Sequence, residues 1–186
     1  YRKARFPNNP EGRASYLGHL HFLDQEIGKL NKHLKDLDLA KNTLLIYVSD
    51  NGGSTPIYAD NTPLRGSKYT LYEGGIRIPM IVRWPGHAPE ARIDHAVVST
   101  LDIFPTICTA AGIKSTNTFD GKDLSGLLAR QSPSAPERTL FWDSGHEYAV
   151  RSGNWKYRVA TDNKDATLEM VELELGEALY DLQLDP

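Results

Sequence analysis

A stripe of apolar residues, Tyr16, Leu20, Leu23, Ile27, Leu30, Leu34 and Leu37, recurs at alternating steps of four and three. Such steps keep one face of an α-helix apolar along its length, opposed here by Asp24, Gln25, Lys29, Lys32 and Lys35. Through a short Asp38-Leu39-Ala40-Lys41 loop the stripe runs straight into the apolar run Thr43-Leu44-Leu45-Ile46-Tyr47-Val48. A coiled coil is the rival, but about three heptads ending in a strand favour a helix laid over a sheet. Helix, short loop and apolar strand in this order are the grammar of an α/β domain with a largely parallel sheet.

That strand ends in Ser49-Asp50-Asn51-Gly52-Gly53. In open α/β sheets, ligand sites lie just beyond the carboxyl ends of the strands. An acid and an amide placed there are hard oxygen donors suited to Ca²⁺ or Mg²⁺, and the glycines let the backbone approach closely. An Asp-Asn-Gly turn with no ligand fits the pentapeptide equally well. The residues from Gly52 to Gly75, with Pro56, Pro63 and several glycines, read as a long loop, and loops of that length in compact domains are functional or disordered.

A second strand is expected at Ile78-Pro79-Met80-Ile81-Val82-Arg83-Trp84, stopped by Pro85-Gly86. Val97 and Val98 read as a valine-rich strand leading to a helix from about Thr100 to Ala111. In that helix Leu101, Ile103, Phe104, Ile107 and Cys108 favour burial, and Gly112 is placed to cap its end. A polar connection around a short helix at Leu124–Leu128 follows. Five short strands are then expected, at Thr139–Trp142, Tyr148–Arg151, Trp155–Val159, Thr167–Leu175 and Ala178–Leu182. Separated by turn residues, they suggest a small antiparallel sheet. The predicted division is residues 1–130 for the α/β part and 131–186 for the antiparallel subdomain.

A net charge of −3 gives no reason to expect nucleic acid or an anionic membrane as partner. No apolar stretch approaches the ~20 residues of a spanning helix. The start, Tyr1-Arg2-Lys3-Ala4-Arg5-Phe6-Pro7, carries neither an initiator Met nor an apolar signal core, and reads as the middle of a gene product. The single cysteine, Cys108, excludes an internal disulfide and a Cys-based zinc cluster, and its apolar helical context suits a buried structural thiol.

Three phrases stand in series: Ser49-Asp50-Asn51-Gly52-Gly53, then Asn61-Thr62-Pro63-Leu64-Arg65-Gly66-Ser67-Lys68, then Leu71-Tyr72-Glu73-Gly74-Gly75-Ile76-Arg77-Ile78-Pro79. Further on come Arg83-Trp84-Pro85-Gly86, Asp102-Ile103-Phe104-Pro105-Thr106, Asp120-Gly121-Lys122-Asp123-Leu124, Ala149-Val150-Arg151-Ser152-Gly153-Asn154-Trp155-Lys156 and Leu179-Tyr180-Asp181-Leu182. In this order the phrases resemble the formylglycine-dependent sulfatases across nearly the whole chain. The resemblance implies an α/β fold: the C-terminal portion of an alkaline-phosphatase-like sheet with covering helices, plus a small C-terminal antiparallel sheet subdomain. It implies hydrolysis of sulfate esters, with sulfated sugars or other sulfated small molecules as substrates. Ca²⁺, with Mg²⁺ as the alternative, would be the metal, and a formylglycine made from Cys or Ser the nucleophile.

By the resemblance Asp50 and Asn51 would be two metal ligands and Lys68 a contact to the sulfate oxygens. Charge developing on those oxygens calls for fixed positive partners, which a metal and an ammonium supply. Arg65, Trp142 and His146 are candidates for the substrate end of the pocket: Arg65 lines it or pins the loop, Trp142 offers a stacking face, and His146 could bond a sugar hydroxyl. Aromatics of a small sheet usually pack, so a structural role competes for both Trp142 and His146. Glu73 and Arg77 read as scaffold, Glu73 holding the Gly-Gly loop and Arg77 bridging carboxylates.

The family's activation motif, Cys or Ser, any residue, Pro or Ala, any residue, Arg, does not precede Asp50. The paired N-terminal aspartates and the upstream Lys and His of the pocket are also missing, so the chain holds no nucleophile and reads as the C-terminal half of a sulfatase. Ser134-Ala135-Pro136-Glu137-Arg138 fits the motif by letter, but it lies in a Pro-rich connection beyond Lys68 and reads as a linker. The missing N-terminal half is therefore an expected partner, and exposed sheet edge and helix faces point to oligomerisation. The family suggests a periplasmic, secreted or lysosome-like compartment. A phosphodiesterase or phosphonate hydrolase of the same superfamily is one alternative, weakened because Asp94-His95 is the one Asp-His pair. A non-catalytic glycan-binding or partner domain is the other.

Overall fold

The computed structural model describes residues 10–132, 137–161 and 173–184. Residues 134–136 of the expected linker motif and most of the expected strand Thr167–Leu175 lie outside them, while residues 173–175 are in no strand. The chain divides into two compact units, one drawn from Tyr1–Leu30, Val48–Met80 and Arg138–Pro186, the other from Asn31–Tyr47 and Ile81–Glu137.

The long helix α1 spans Pro10–Asp36. Pro at the start of a helix costs no hydrogen bond, because the first N–H groups have no partner there. Its apolar stripe is not buried: Leu20, Leu23, Leu30 and Leu37 are all exposed. The face read as a covering surface is thus open along most of its length. Strands β1 (Leu45–Val48) and β2 (Met80–Arg83) pair as a two-stranded sheet, and Arg83 Nη1 donates to the Ala40 carbonyl at 3.1 Å.

Helix α3 (Ile103–Ala110) follows a turn of 3₁₀ helix at Thr100–Asp102. The turn α2 (Glu73–Ile76) precedes it in the chain, and the short α4 (Ser125–Leu128) follows. Ser99 and Asp102 form a capping box, so the first N–H groups of the turn are satisfied reciprocally. Asp102 is fully buried, accepting from the Ser99 and Lys122 N–H groups at 2.8 Å each. One turn on, buried Thr106 accepts from the Leu124 N–H at 2.9 Å. Gly121 is obligatory beside them, since a Cβ there would meet the Leu101 carbonyl oxygen at 1.9 Å.

These polar ties decide which side of α3 is inside. Asp102 and Thr106 bond the Lys122 and Leu124 N–H groups, and Pro105 and Cys108 are buried, Cys108 as expected. The expected burial of Leu101, Phe104 and Ile107 does not occur, because all three lie on the opposite side of the turn and are exposed. Gly112 ends the helix as expected, with φ +69° and the Ile113 N–H reaching back to the Cys108 carbonyl at 2.8 Å. The valine-rich strand at Val97–Val98 does not form. Asp94 instead accepts from the Ala96 N–H at 2.9 Å and pairs with Arg92, committing the preceding backbone to a turn.

The C-terminal sheet is an antiparallel meander of β3 (Thr139–Asp143), β4 (Glu147–Ser152), β5 (Trp155–Ala160) and β6 (Gly176–Asp181), in that order. Arg151 pairs with Lys156, Ala149 with Arg158 and Glu147 with Ala160. Its alternation is inverted. Lys156 and Arg158 are 2% and 1% exposed, whereas Trp155, Phe141 and Leu179 stand at 56%, 77% and 64%.

Replacing Asp102 by Ala should lower stability by about 2 kcal/mol, because two buried N–H groups lose their acceptor. Urea denaturation of the variant chain checks this, and an unchanged midpoint would contradict it.

Candidate functional site

β1 delivers Asp50 and Asn51 to its carboxyl end, as the strand pattern requires. The Gly52 N–H donates to the Gly75 carbonyl at 2.8 Å, and the Lys68 N–H donates to the Gly53 carbonyl at 3.2 Å. The Asp-Asn pair and Lys68 are therefore fastened to each other through two residues of shared backbone. Glycine makes this approach feasible: a Cβ on Gly52 would lie 1.9 Å from the Gly74 oxygen, and one on Gly75 would lie 2.0 Å from the Thr70 oxygen.

Asn61 completes the cluster, accepting from the Gly53 N–H at 2.9 Å and donating to the Gly53 and Gly66 carbonyls at 2.7 and 3.0 Å. Ser67 Oγ accepts from the Thr55 N–H at 2.9 Å. Asp50 is exposed, and its Oδ1 accepts from the Asn51 N–H at 2.9 Å. Asn51 donates its amide to the Gly52 carbonyl at 2.8 Å. Asp50 Oδ2 and Asn51 Oδ1 accept nothing from the described residues, so two hard oxygens fit for a cation are available. They are only two, and among the described residues no group of three His, Cys, Asp or Glu side chains is placed to hold a metal.

Lys68 sits at the tip of a tight turn between buried Ser67 and buried Thr70, closed by the Thr70 N–H to the Ser67 carbonyl at 3.1 Å. Tyr69, next in the turn, has φ +78°, a left-handed conformation that is costly for an aromatic residue. The Lys68 ammonium lies 5.2 Å from the Tyr69 ring centroid and pairs with no carboxylate among the described residues.

The other candidates are Arg65, Trp142 and His146. Arg65 pairs with Glu174 at 2.5 Å and stacks over the Tyr72 ring at 4.4 Å, which pins its loop. The Trp142 ring faces the buried Lys156 ammonium at 5.8 Å from its centroid. His146 sits in the β3–β4 hairpin with a buried Nε2 that has no hydrogen-bond partner. Exposed Arg77 makes no carboxylate bridge among the described residues, while Glu73 is the scaffold expected of it.

What sequence reasoning missed is the partner of Glu73. Its buried carboxylate takes the Lys156 ammonium at 2.8 Å and the Arg151 guanidinium at 3.1 Å. Beside it Glu147, fully buried, pairs with Arg158 and accepts the Leu71 N–H at 2.8 Å. Arg158 also stacks on Tyr72 at 4.0 Å from the ring centroid. Burial pushes the Tyr72 phenol up, against the pull of Arg158 and Arg65. A signal was present: Glu147 and Arg151, four residues apart on one strand, and Lys156 and Arg158, two apart on the next, share one face.

Comparison with known proteins gives the family. The sulfatase family model matches residues 2–113, and the model for the C-terminal region of N-sulphoglucosamine sulphohydrolase matches residues 67–186. The chain belongs to the sulfatase family. It is 34% identical to arylsulfatase A of Homo sapiens over 94% of its own length and 38% of that protein. To N-acetylgalactosamine-6-sulfatase of Sus scrofa it is 35% identical over 77% of its length and 28% of that protein. The crystal structure of Ps i-CgsB in complex with k-i-k-neocarrahexaose superposes with a TM-score of 0.78 at 28% identity, covering 97% of this chain and 39% of that one. The chain thus spans well under half the length of these relatives, with their alkaline-phosphatase-like fold. No described helix is long and apolar enough to cross a membrane.

Glu73→Gln should cost about 3–5 kcal/mol, since it leaves Lys156 buried with an incomplete counter-charge; chemical denaturation reads it directly. Burial, the largest influence, holds the Lys156 ammonium below the ordinary lysine range, although Glu73 pulls it up. Above the folded-state value the unfolded chain binds the proton more readily, so this group's contribution to stability rises with pH up to about 10.5. The stability difference between the native chain and Lys156→Met should therefore grow across that alkaline window. A difference that stays flat or shrinks would count against it.

Proposed function

We propose that residues 1–186 are the C-terminal part of a metal-dependent sulfatase that hydrolyses sulfate esters of sugars. The observation that carries this reading is the shared backbone that ties the strand-end pair Asp50 and Asn51 to Lys68. In this reading Asp50 Oδ2 and Asn51 Oδ1 are two ligands of a Ca²⁺ ion, with Mg²⁺ as the alternative, and their hard oxygens suit either. A bound divalent ion would supply Lewis-acid stabilisation to the sulfate group.

Lys68, mobile at its tip but fixed at its backbone, binds the non-bridging sulfate oxygens and offsets the charge that builds on them in the transition state. His146, with an unpartnered Nε2, could bond a sugar hydroxyl. Arg65, engaged by Glu174 and Tyr72, and Trp142, facing Lys156, are further candidates for the substrate end of the pocket. In this reading the nucleophile, a formylglycine, and the remaining metal ligands lie outside residues 1–186. Membership of the family supports an extracytoplasmic compartment, secreted, periplasmic or lysosome-like.

The full-length polypeptide should cleave aryl sulfates in preference to aryl phosphates, and chelation of its metal should abolish turnover. Preference for the phosphate ester would favour a phosphodiesterase of the same fold. Lys68→Ala should lower kcat/KM for the sulfate ester by about 10²–10³-fold, the usual loss of one transition-state charge contact. Residues 1–186 alone should not turn over, and measurable activity from them would end the fragment reading.

The isolated chain should also self-associate, because Leu20, Leu23, Leu30, Ile81 and Phe104 leave apolar faces exposed. Sedimentation velocity reads the outcome, and a sharply melting monomer would contradict it.

A further inference from the structure

The turn that presents Lys68 is strained, and something must hold it. Tyr69 stands at φ +78° between Lys68 and buried Thr70, a conformation that persists only when its surroundings over-determine it. On the upstream side the restraint is local: the Lys68 N–H on the Gly53 carbonyl, and Ser67 Oγ on the same oxygen at 3.2 Å. Downstream, Thr70 reaches only back into the turn, donating from its hydroxyl to the Ser67 carbonyl at 2.8 Å. The next fixed point is the Leu71 N–H, held by Glu147 Oε2 at 2.8 Å.

Glu147 comes from β4, 76 residues further along the chain, and is fully buried. Its other oxygen is occupied by Arg158 of β5, itself 1% exposed. Arg158 is oriented in turn by the Glu174 carbonyl at 3.1 Å and the Tyr72 ring. A carboxylate with both oxygens engaged and no solvent around it has little freedom, so it can fix the backbone it holds.

We infer that Glu147 is a positioning residue for Lys68: it clamps the Leu71 N–H so that the strained Ser67–Thr70 turn keeps the ammonium at the sulfate site. The inference rests on the sulfatase reading and adds to it a task for the C-terminal sheet. Glu147 touches no substrate; it acts through Lys68.

The test is a double-substitution cycle in the full-length polypeptide. Glu147→Gln keeps an acceptor for Leu71 but removes the charge opposite Arg158. The folded variant, checked by near-ultraviolet circular dichroism, should lose about ten- to a hundredfold in kcat for an aryl sulfate, as small misplacements do. Its KM should move much less. In the double variant with Lys68→Ala, activity should equal that of Lys68→Ala alone within about twofold, because one group acts through the other. Should Glu147→Gln fail to fold, Glu147→Asp, which keeps the charge one methylene short, is read in the same cycle. Losses that multiply, or a folded Glu147 variant with native kcat, would overturn the inference. If Lys68→Ala itself loses nothing, the sulfatase reading of Lys68 falls first and the positioning role falls with it.

Discussion

The first unit of the chain depends on two buried carboxylates, Glu73 and Glu147, set against three cations of the C-terminal sheet. Arg151 and Lys156 are directly opposite each other on β4 and β5. Like charges in that position repel, and burial makes the repulsion worse. Glu73 resolves it by giving one oxygen to each. The carboxylate is thus a structural requirement of the strand pairing, and the strand pairing is what holds the Glu73-Gly74-Gly75 turn. Neither forms at low cost without the other.

Buried ion pairs are poor evidence of net stability, since desolvation consumes much of the Coulombic gain. Their effect here is on register. A slip of β5 by one residue would turn Lys156 and Arg158 to the solvent face. It would leave Glu73 and Glu147 buried without their counter-charges, at a cost of several kcal/mol each. The cations therefore select one pairing of β4 with β5, and that pairing aims Glu147 at the Leu71 N–H. From Leu71 the order passes to the Ser67–Thr70 turn, and by the Lys68–Gly53 and Gly52–Gly75 bonds to the strand end.

Element types were legible where local chemistry decides them. The 3.6-residue stripe marked α1, the aliphatic run marked β1, Gly112 marked the end of α3, and turn residues separated the strands of the meander. Faces were not legible. Trp155-Lys156-Tyr157-Arg158-Val159-Ala160 reads by period two as a strand with aromatics inside and cations outside, and the structure has the reverse. Periodicity ranks residues by their cost of burial without partners, whereas Lys156 and Arg158 are buried with partners more than eighty residues away in one case and eleven in the other. Likewise α3 turns Leu101, Phe104 and Ile107 outward because Asp102 and Thr106 satisfy backbone groups on the other side. At the candidate site, the motif Asp50-Asn51 and Lys68 could be named from the sequence, but the Glu147 support could not, since it depends on a long-range register.

The site and the surface fall short in the same way. A hard cation of the Ca²⁺ type takes six to eight oxygens, and the strand end offers two side chains toward that number. Meanwhile α1 and β2 leave Leu20, Leu23, Leu30 and Ile81 exposed. On the proposed reading the missing ligands and the nucleophile lie outside residues 1–186. The backbone cluster around Gly52, Gly53, Asn61 and Gly75 is already closed by its own hydrogen bonds. On the proposed reading, this closure lets Asp50, Asn51 and Lys68 be presented as a unit, with the entropy of arranging them already spent in folding.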